Sequence, residues 1–202
     1  MNRYQDRIMA MDRIVTAVAV LLFLVSCAPA YSASKHGESR IAKVGEGIYR
    51  GPRPDDLSEL QPLKIRTILN LEDNTEAVQE ENKTAKRLGM TMINIPMSEI
   101  FRPRATDLLQ AVKILEDGRS HPVYVHCLHG RDRTGFVIAA YRIIDQGWNA
   151  EKAYREAVDS GHNRWFYDFI LGWKKSLLLI ADGKTGTAGH SMVAGDAGVL
   201  LP

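Results

Sequence analysis

Pro122-Val123-Tyr124-Val125-His126-Cys127-Leu128-His129-Gly130-Arg131-Asp132-Arg133-Thr134-Gly135 carries the densest chemical signal in the chain. Its opening, PVYVH, is apolar and β-branched and reads as a buried strand. Its end opens a helical pattern that runs from Thr134 to Gln146. A strand–loop–helix junction turns successive backbone N–H groups into one concavity, with the positive end of the helix dipole behind it. Such a concavity binds anions before any side chain is considered. Placing Cys127 at its mouth favours the thiolate, the nucleophilic form. Arg133, six positions later, can turn back and hold two phosphate oxygens in a bidentate fork. Gly130 permits a tight turn or close backbone approach. The competing reading is a structural cysteine buried beside a helix-capping loop.

Outward from this loop, apolar segments alternate with helical patterns. Ile41–Val44 and Gly47–Arg50 read as a hairpin around Gly45-Glu46-Gly47, and Arg66–Leu71 and Met90–Ile95 as buried strands. Helical stretches fall near Asp55–Leu63, Thr75–Leu88 and Ala105–Glu116, with Gly89 and Gly118 as C-caps. Beyond residue 133 the pattern is helical throughout, broken at Gly147 and at Gly161-His162-Asn163. Strands alternating with helices, then a helical end, predict an α/β fold: a small central mixed sheet flanked by helices. From Asp182 onward glycine and small residues dominate, which predicts a flexible tail over 182–202.

The whole chain has 202 residues, 45% hydrophobic and 25% charged, with 26 basic against 24 acidic residues. These values fit one globular domain and exclude a chain held to nucleic acid by bulk charge. With only Cys27 and Cys127, neither a disulfide scaffold nor a Cys/His zinc ribbon is available, and no cofactor or metal is expected. The first residues differ from the rest. Arg3, Arg7 and Arg13 precede an uncharged apolar run, Ile14–Val25, too short to span a bilayer core of roughly 30 Å as a helix. That is the pattern of a secretory signal over 1–26, with a linker over 27–39 and the main domain over 40–181. Met9 or Met11 could equally be the start. Leu24-Val25-Ser26-Cys27 resembles a bacterial lipobox, which implies export and a lipid anchor on Cys27, at the periplasmic side or the cell surface. The alternatives are cleavage near Ala28-Pro29-Ala30 or Tyr31-Ser32-Ala33, releasing a soluble protein, or Cys27 as a small residue of the signal.

Cys-x5-Arg followed by Thr, preceded by His and set between strand and helix, resembles the signature of the cysteine-dependent phosphatases of the protein tyrosine phosphatase superfamily. Ile48–Pro54 (IYRGPRP), Thr67–Leu71 (TILNL) and Ile95-Pro96-Met97 stand in the order seen in bacterial dual-specificity-like phosphatases. Ala140-Tyr141-Arg142, Gly147-Trp148 and Glu151–Glu156 continue the likeness, which covers about residues 40–175. Phosphatases acting on inositol pyrophosphates and bacterial tyrosine-phosphatase-like phytases look similar. The resemblance implies metal-free phosphomonoester hydrolysis through a cysteinyl-phosphate, with Cys127 as nucleophile. Arg133 and the N–H groups from Leu128 through His129, Gly130, Arg131 and Asp132 would hold the equatorial oxygens. Thr134 would donate a hydrogen bond to the departing sulfur. His126 either orients the loop or is a core histidine ending a strand. The family's general acid is an Asp on a loop after an earlier strand. The corresponding stretch, Ile95–Pro103, offers Glu99 instead; Asp107 and Asp132 are the other candidates.

Basic residues recur around the loop: His129 and Arg131 within it, Arg102 and Arg104 on the acid-bearing stretch, and Arg50 and Arg53 near the N-terminus of the domain. Convergence of such groups suits a small substrate with several phosphates. The first expectation is therefore an inositol polyphosphate (phytate) phosphatase. The second is a protein phosphatase of tyrosine or dual specificity, with Phe101 or Trp165 supplying a ring against the phosphotyrosine. A third is a silent phosphate-binding module that retains the loop but lacks the acid.

Overall fold

The computed structural model describes residues 41–186, all within the unit that begins at Ser39. The expected signal, the lipid site at Cys27 and the tail beyond Gly186 lie outside the described residues. Five strands form one mixed sheet: β1 (Ala42–Gly45), β2 (Ile48–Pro52), β3 (Thr67–Asn70), β4 (Thr91–Asn94) and β5 (Val123–Cys127). Their order is β1-β2-β5-β3-β4. Only the β1–β2 pair is antiparallel; β5 lies parallel between β2 and β3, and β4 runs parallel to β3.

The central place of β5 explains its sequence. Every residue of Val123–Cys127 is buried, because both faces of the strand are covered, so hydrophobicity is continuous rather than alternating. The side chains still alternate in space. Val123, Val125 and Cys127 join a core with α2 (Ala105–Glu116), α3 (Asp132–Ile144), α4 (Ala150–Asp159) and α5 (Lys174–Gly186). Tyr124 joins Leu57, Leu60, Ile68 and Ala85 on the other face, under α1 (Thr75–Arg87) and a 3-10 helix, Leu57–Leu63. His126 follows Tyr124 by two and stacks over its ring, with centroids 5.6 Å apart. One face of β5 therefore presents the cysteine and the opposite face presents the histidine.

Several boundaries differ from expectation. Thr91–Asn94 is an edge strand with exposed ends, not a buried one, because nothing pairs with its outer side among the described residues. The segment read as a helix from Asp55 is 3-10, capped by Asp56 in a reciprocal box with Glu59; Pro62 within it lacks the N–H that a continued ladder needs. Gly89 takes φ +75° after α1, as a left-handed C-cap should, but Gly118 opens a short 3-10 turn instead. The helix after the loop starts at Asp132, so Arg133 and Thr134 lie in its first turn. Trp165–Ile170 winds as a π-helix, and α5 continues past Asp182 to Gly186, into the stretch read as a tail.

α3 is the pillar of the larger core, buried almost throughout, with Phe136 fully enclosed against the rings of His162 and Trp173. Phe136→Ala should destabilise the fold by about 3–5 kcal/mol, measured as a lowered midpoint in urea unfolding; a shift of less than about 1 kcal/mol would mean this core does not carry the helix.

Candidate active site

The parallel strands all end on one edge of the sheet, and the site lies there. Register places Pro52 beside Cys127 and Asn70 beside His126. Open α/β sheets bind ligands outside the carboxyl ends of their strands, and here those ends lead into the turns that hold Arg53, Glu72 and Asp73, Glu99, and the loop Leu128–Arg131.

The loop is clamped onto β2. Gly130 has φ +68°, and a Cβ at that position would sit 2.2 Å from the carbonyl carbon of Gly51. Only glycine permits that approach. Arg50 Nη2 donates to Gly130 O at 2.9 Å, and the Arg53 N–H donates to Cys127 O at 2.9 Å. Arg50 is itself buried, and burial pushes its guanidinium below its ordinary value, opposed by the charges of Glu156 and Cys127. Arg50 thus supports the loop from behind. The Arg53 guanidinium turns to Glu72 at 3.1 Å and does not line the pocket at Cys127.

That pocket, about 60 Å³, is bounded by Cys127, Glu99, His129, Arg133, Tyr167 and Trp173. Its volume corresponds to roughly two water molecules. Cys127 is buried at its base. Arg133 is 4% exposed and held from three directions: Nη2 by Glu99 Oε1 at 2.8 Å, and Nη1 by Met97 O at 3.2 Å and Asp73 Oδ1 at 3.3 Å. Both carboxylates are about half exposed, so an entering phosphate can displace them. The buried Thr134 hydroxyl has no hydrogen-bond partner among the described residues. Leu128 is half-buried, and its carbonyl receives a longer bond of 3.3 Å from the Arg53 N–H. His129 and Arg131 are exposed, and the Arg131 stem lies against Gly161. Arg102 is exposed on the loop after β4, while Arg104 forms a two-point pair with Asp107 at 2.8 Å, which removes Asp107 from the candidates for the acid.

Asp132 is also occupied. It accepts from His162 Nδ1 and from the Asn163 N–H, each at 2.9 Å. Burial opposes its ionisation, but these bonds and the nearby Arg131 hold its carboxyl below the usual value. His162 reaches Asp168 at 3.2 Å on its other side; the Tyr154 hydroxyl donates to Asp168 as well, and burial together with that bond pushes the phenol far above its ordinary value. On the opposite face of β5, His126 Nε2 lies 3.0 Å from Glu81 Oε1 without aligned hydrogen-bond geometry, and Glu72 Oε1 faces Nδ1 at 3.9 Å. Arg53 satisfies the other oxygen of Glu72 and Asn70 that of Glu81. Donor atoms of Glu72, Glu81 and His126 lie within 4.8 Å of one another, close enough to share one ion.

Asp73, Tyr167, Trp173 and His162 were not singled out from the sequence as site residues. Asp73 had a signal: it follows the carboxyl end of a strand. The aromatic pair had none, since it comes from a helical stretch far along the chain.

Residues 38–164 match the model of the tyrosine phosphatase family. The chain belongs to that family. It is 30% identical over 135 residues to an inositol diphosphatase, DSP3, of Arabidopsis thaliana, covering 63% of this chain and 64% of that protein. It is 25% identical over 138 residues to the dual specificity protein phosphatase TpbA of Pseudomonas aeruginosa, covering 66% and 60%. The match thus spans less than two thirds of these relatives' own length. In structure it resembles the core catalytic domain of the PP-IP phosphatase SIW14 from S. cerevisiae, with a TM-score of 0.62 at 22% identity over 74% of this chain and 90% of that one. TpbA follows with 0.58 at 21% identity over 72% and 91%. These likenesses establish the tyrosine-phosphatase-like fold.

Two outcomes test this geometry. Gly130→Ala should lower kcat/KM by about 100-fold or more, because the loop must shift away from Gly51; near-parental turnover would show that the clamp is dispensable. Because Asp132 has a lowered pKa in the folded protein, its stabilisation is complete above the unfolded value, about 3.9, and is lost as pH falls through the folded value. Asp132→Asn should therefore melt lower than the parent at pH 7, with the gap closing below about pH 4. A gap independent of pH would show that the charge of the Asp132 carboxylate contributes nothing to stability.

Proposed function

We propose that the protein is a metal-independent phosphomonoesterase acting through a cysteinyl-phosphate, with inositol polyphosphates as its substrates. The observation that supports it is the placement of Cys127, Arg133, His129 and Glu99 around one pocket of phosphoryl size, between the end of β5 and the start of α3. The Cys127 thiolate attacks phosphorus along the line of the ester bond. Arg133 exchanges its bonds to Glu99 and Asp73 for two phosphate oxygens, and the loop N–H groups hold the charge that shifts in the transition state. Glu99, released from Arg133 at the pocket edge, takes the proton that a phosphate monoester monoanion brings in and passes it to the leaving alkoxide. Water then attacks phosphorus, the S–P bond breaks toward sulfur, and the Thr134 hydroxyl donates to the returning thiolate. Inorganic phosphate and a restored thiolate result.

The narrow pocket admits a phosphoryl group while leaving an inositol ring at the mouth, near His129, Arg131 and Arg102. The curated relatives named inositol diphosphatases agree with that substrate class. A protein phosphatase is the second reading, favoured by the aromatic wall of Tyr167 and Trp173 and by the likeness to a dual specificity phosphatase. Export through residues 1–26 and a lipid anchor on Cys27 complete the proposal, placing the enzyme where extracellular inositol phosphates are met.

Phosphate release from inositol hexakisphosphate and from a phosphotyrosine peptide, in EDTA, decides between the two substrates. Faster turnover of the inositol substrate is expected, with none by Cys127→Ser; the reverse preference would promote the protein-phosphatase reading. Glu99→Gln should reduce kcat on alkyl phosphates by about 100-fold, within the usual range for a lost general acid, and far less on p-nitrophenyl phosphate, whose leaving group needs no proton. Equal losses on both substrates would remove Glu99 from the acid role.

A further inference from the structure

Eight large apolar side chains are markedly exposed among the described residues, and all but Leu109 come from two stretches. One is the turn after β4, with Ile100 and Phe101; the other is the segment from Trp165 to Leu179. The two are joined: Trp173 Nε1 donates to Ile100 O at 3.1 Å, and Ser176 Oγ donates to Pro103 O at 2.6 Å. They form one rim beside the catalytic pocket, to which Glu99, Tyr167 and Trp173 also belong. Phe101 is 75% exposed and Trp165 68%. Clustered exposure of this kind marks an interaction surface.

The same segment walls a second, open cavity of about 680 Å³, lined by Tyr154, Arg164, Trp165, Lys174, Lys175 and Leu178. Its acidic member, Asp168, is already taken up by Tyr154, His162 and the Lys174 N–H. Lys174 pairs with Glu151, and Arg164 and Lys175 bring exposed cations to the edge. Basic groups therefore alternate with apolar ones: Arg102 beside Phe101, Arg164 beside Trp165, and Lys175 ahead of Leu178 and Leu179. Aromatic rings with interleaved cations match the chemistry of an anionic membrane interface, where rings sit at headgroup level and cations meet phosphates.

We propose that this rim docks the domain on an anionic phospholipid surface, with a headgroup phosphate held in the second cavity between Arg164 and Lys175 and the apolar side chains at the acyl boundary. The phosphate pocket then opens toward the membrane. The inference stands apart from the catalytic reading, since none of these cavity residues takes part in phosphoryl transfer.

The unit from Ser39 to Pro202 contains the whole sheet and both cores, and can be tested without the apolar N-terminus. Flotation with phosphatidylethanolamine vesicles containing or lacking phosphatidylglycerol should show binding to the anionic vesicles, weakened by salt. Lys175→Glu should weaken it about 30-fold, at roughly 1 kcal/mol for the charge removed and again for the charge reversed. Leu178→Asp should weaken it comparably. Both variants should melt like the parent and retain its turnover of soluble phosphomonoesters, so a failure of docking and a failure of catalysis read out separately. Equal binding to both vesicle types, or insensitivity to both substitutions, would overturn the proposal. So would a dimer that Leu178→Asp dissociates without any vesicle binding, or binding that emerges only after residues 187–202 are removed. In the first of those cases a second copy covers the rim, and in the second the chain's own terminus does.

Discussion

The approach of Gly130 to the backbone of Gly51 and Pro52 is the contact on which the active site depends. It presses the phosphate loop onto the end of β2, where Arg50 can bond the Gly130 carbonyl from behind. Anchored there, the loop is held against the end of β2. The cost is a buried guanidinium whose Nη1 lacks a partner, tolerated because Arg50 satisfies a loop carbonyl and lies near the opposite charges of Glu156 and Cys127.

Two acidic–imidazole networks brace the loop from opposite sides. Behind β5, His126 lies between Glu72 of the β3 turn and Glu81 of α1. In front, Asp132 is joined through His162 to Asp168, linking the first turn of α3 to the π-helix. The aromatic rings around His162 exclude water from that link. Since Tyr167 and Trp173 also face the catalytic pocket, the network that steadies the loop shapes the wall a substrate meets.

Arg133 shows how the resting site stores its specificity. Glu99 and Asp73 occupy the guanidinium in place of a phosphate, and both are exposed enough to leave. A weakly anionic ligand competes poorly against two carboxylates, whereas a phosphate dianion replaces them with two charge-assisted bonds of better geometry. Each displaced carboxylate is left at the pocket edge.

By itself the sequence determined the strand–loop–helix signature, the alternation of strands and helices, and the candidates Cys127, Arg133 and Thr134, while Glu99 came from the family resemblance. These depend on local spacing: a buried strand, a glycine turn and a helix start are written in adjacent residues. It also pointed to arginines around the loop, but not to what they do. Only the tertiary structure decided that Arg53 turns to Glu72, that Arg104 is spent on Asp107, and that Arg50 supports the loop rather than the substrate. It likewise brought Asp73 to Arg133, and Tyr167 and Trp173 to the pocket, from distant parts of the chain. The physical reason is that a charge or a ring has no role until its partner is known, and the partner is chosen by which strand ends and helices the packed sheet brings together.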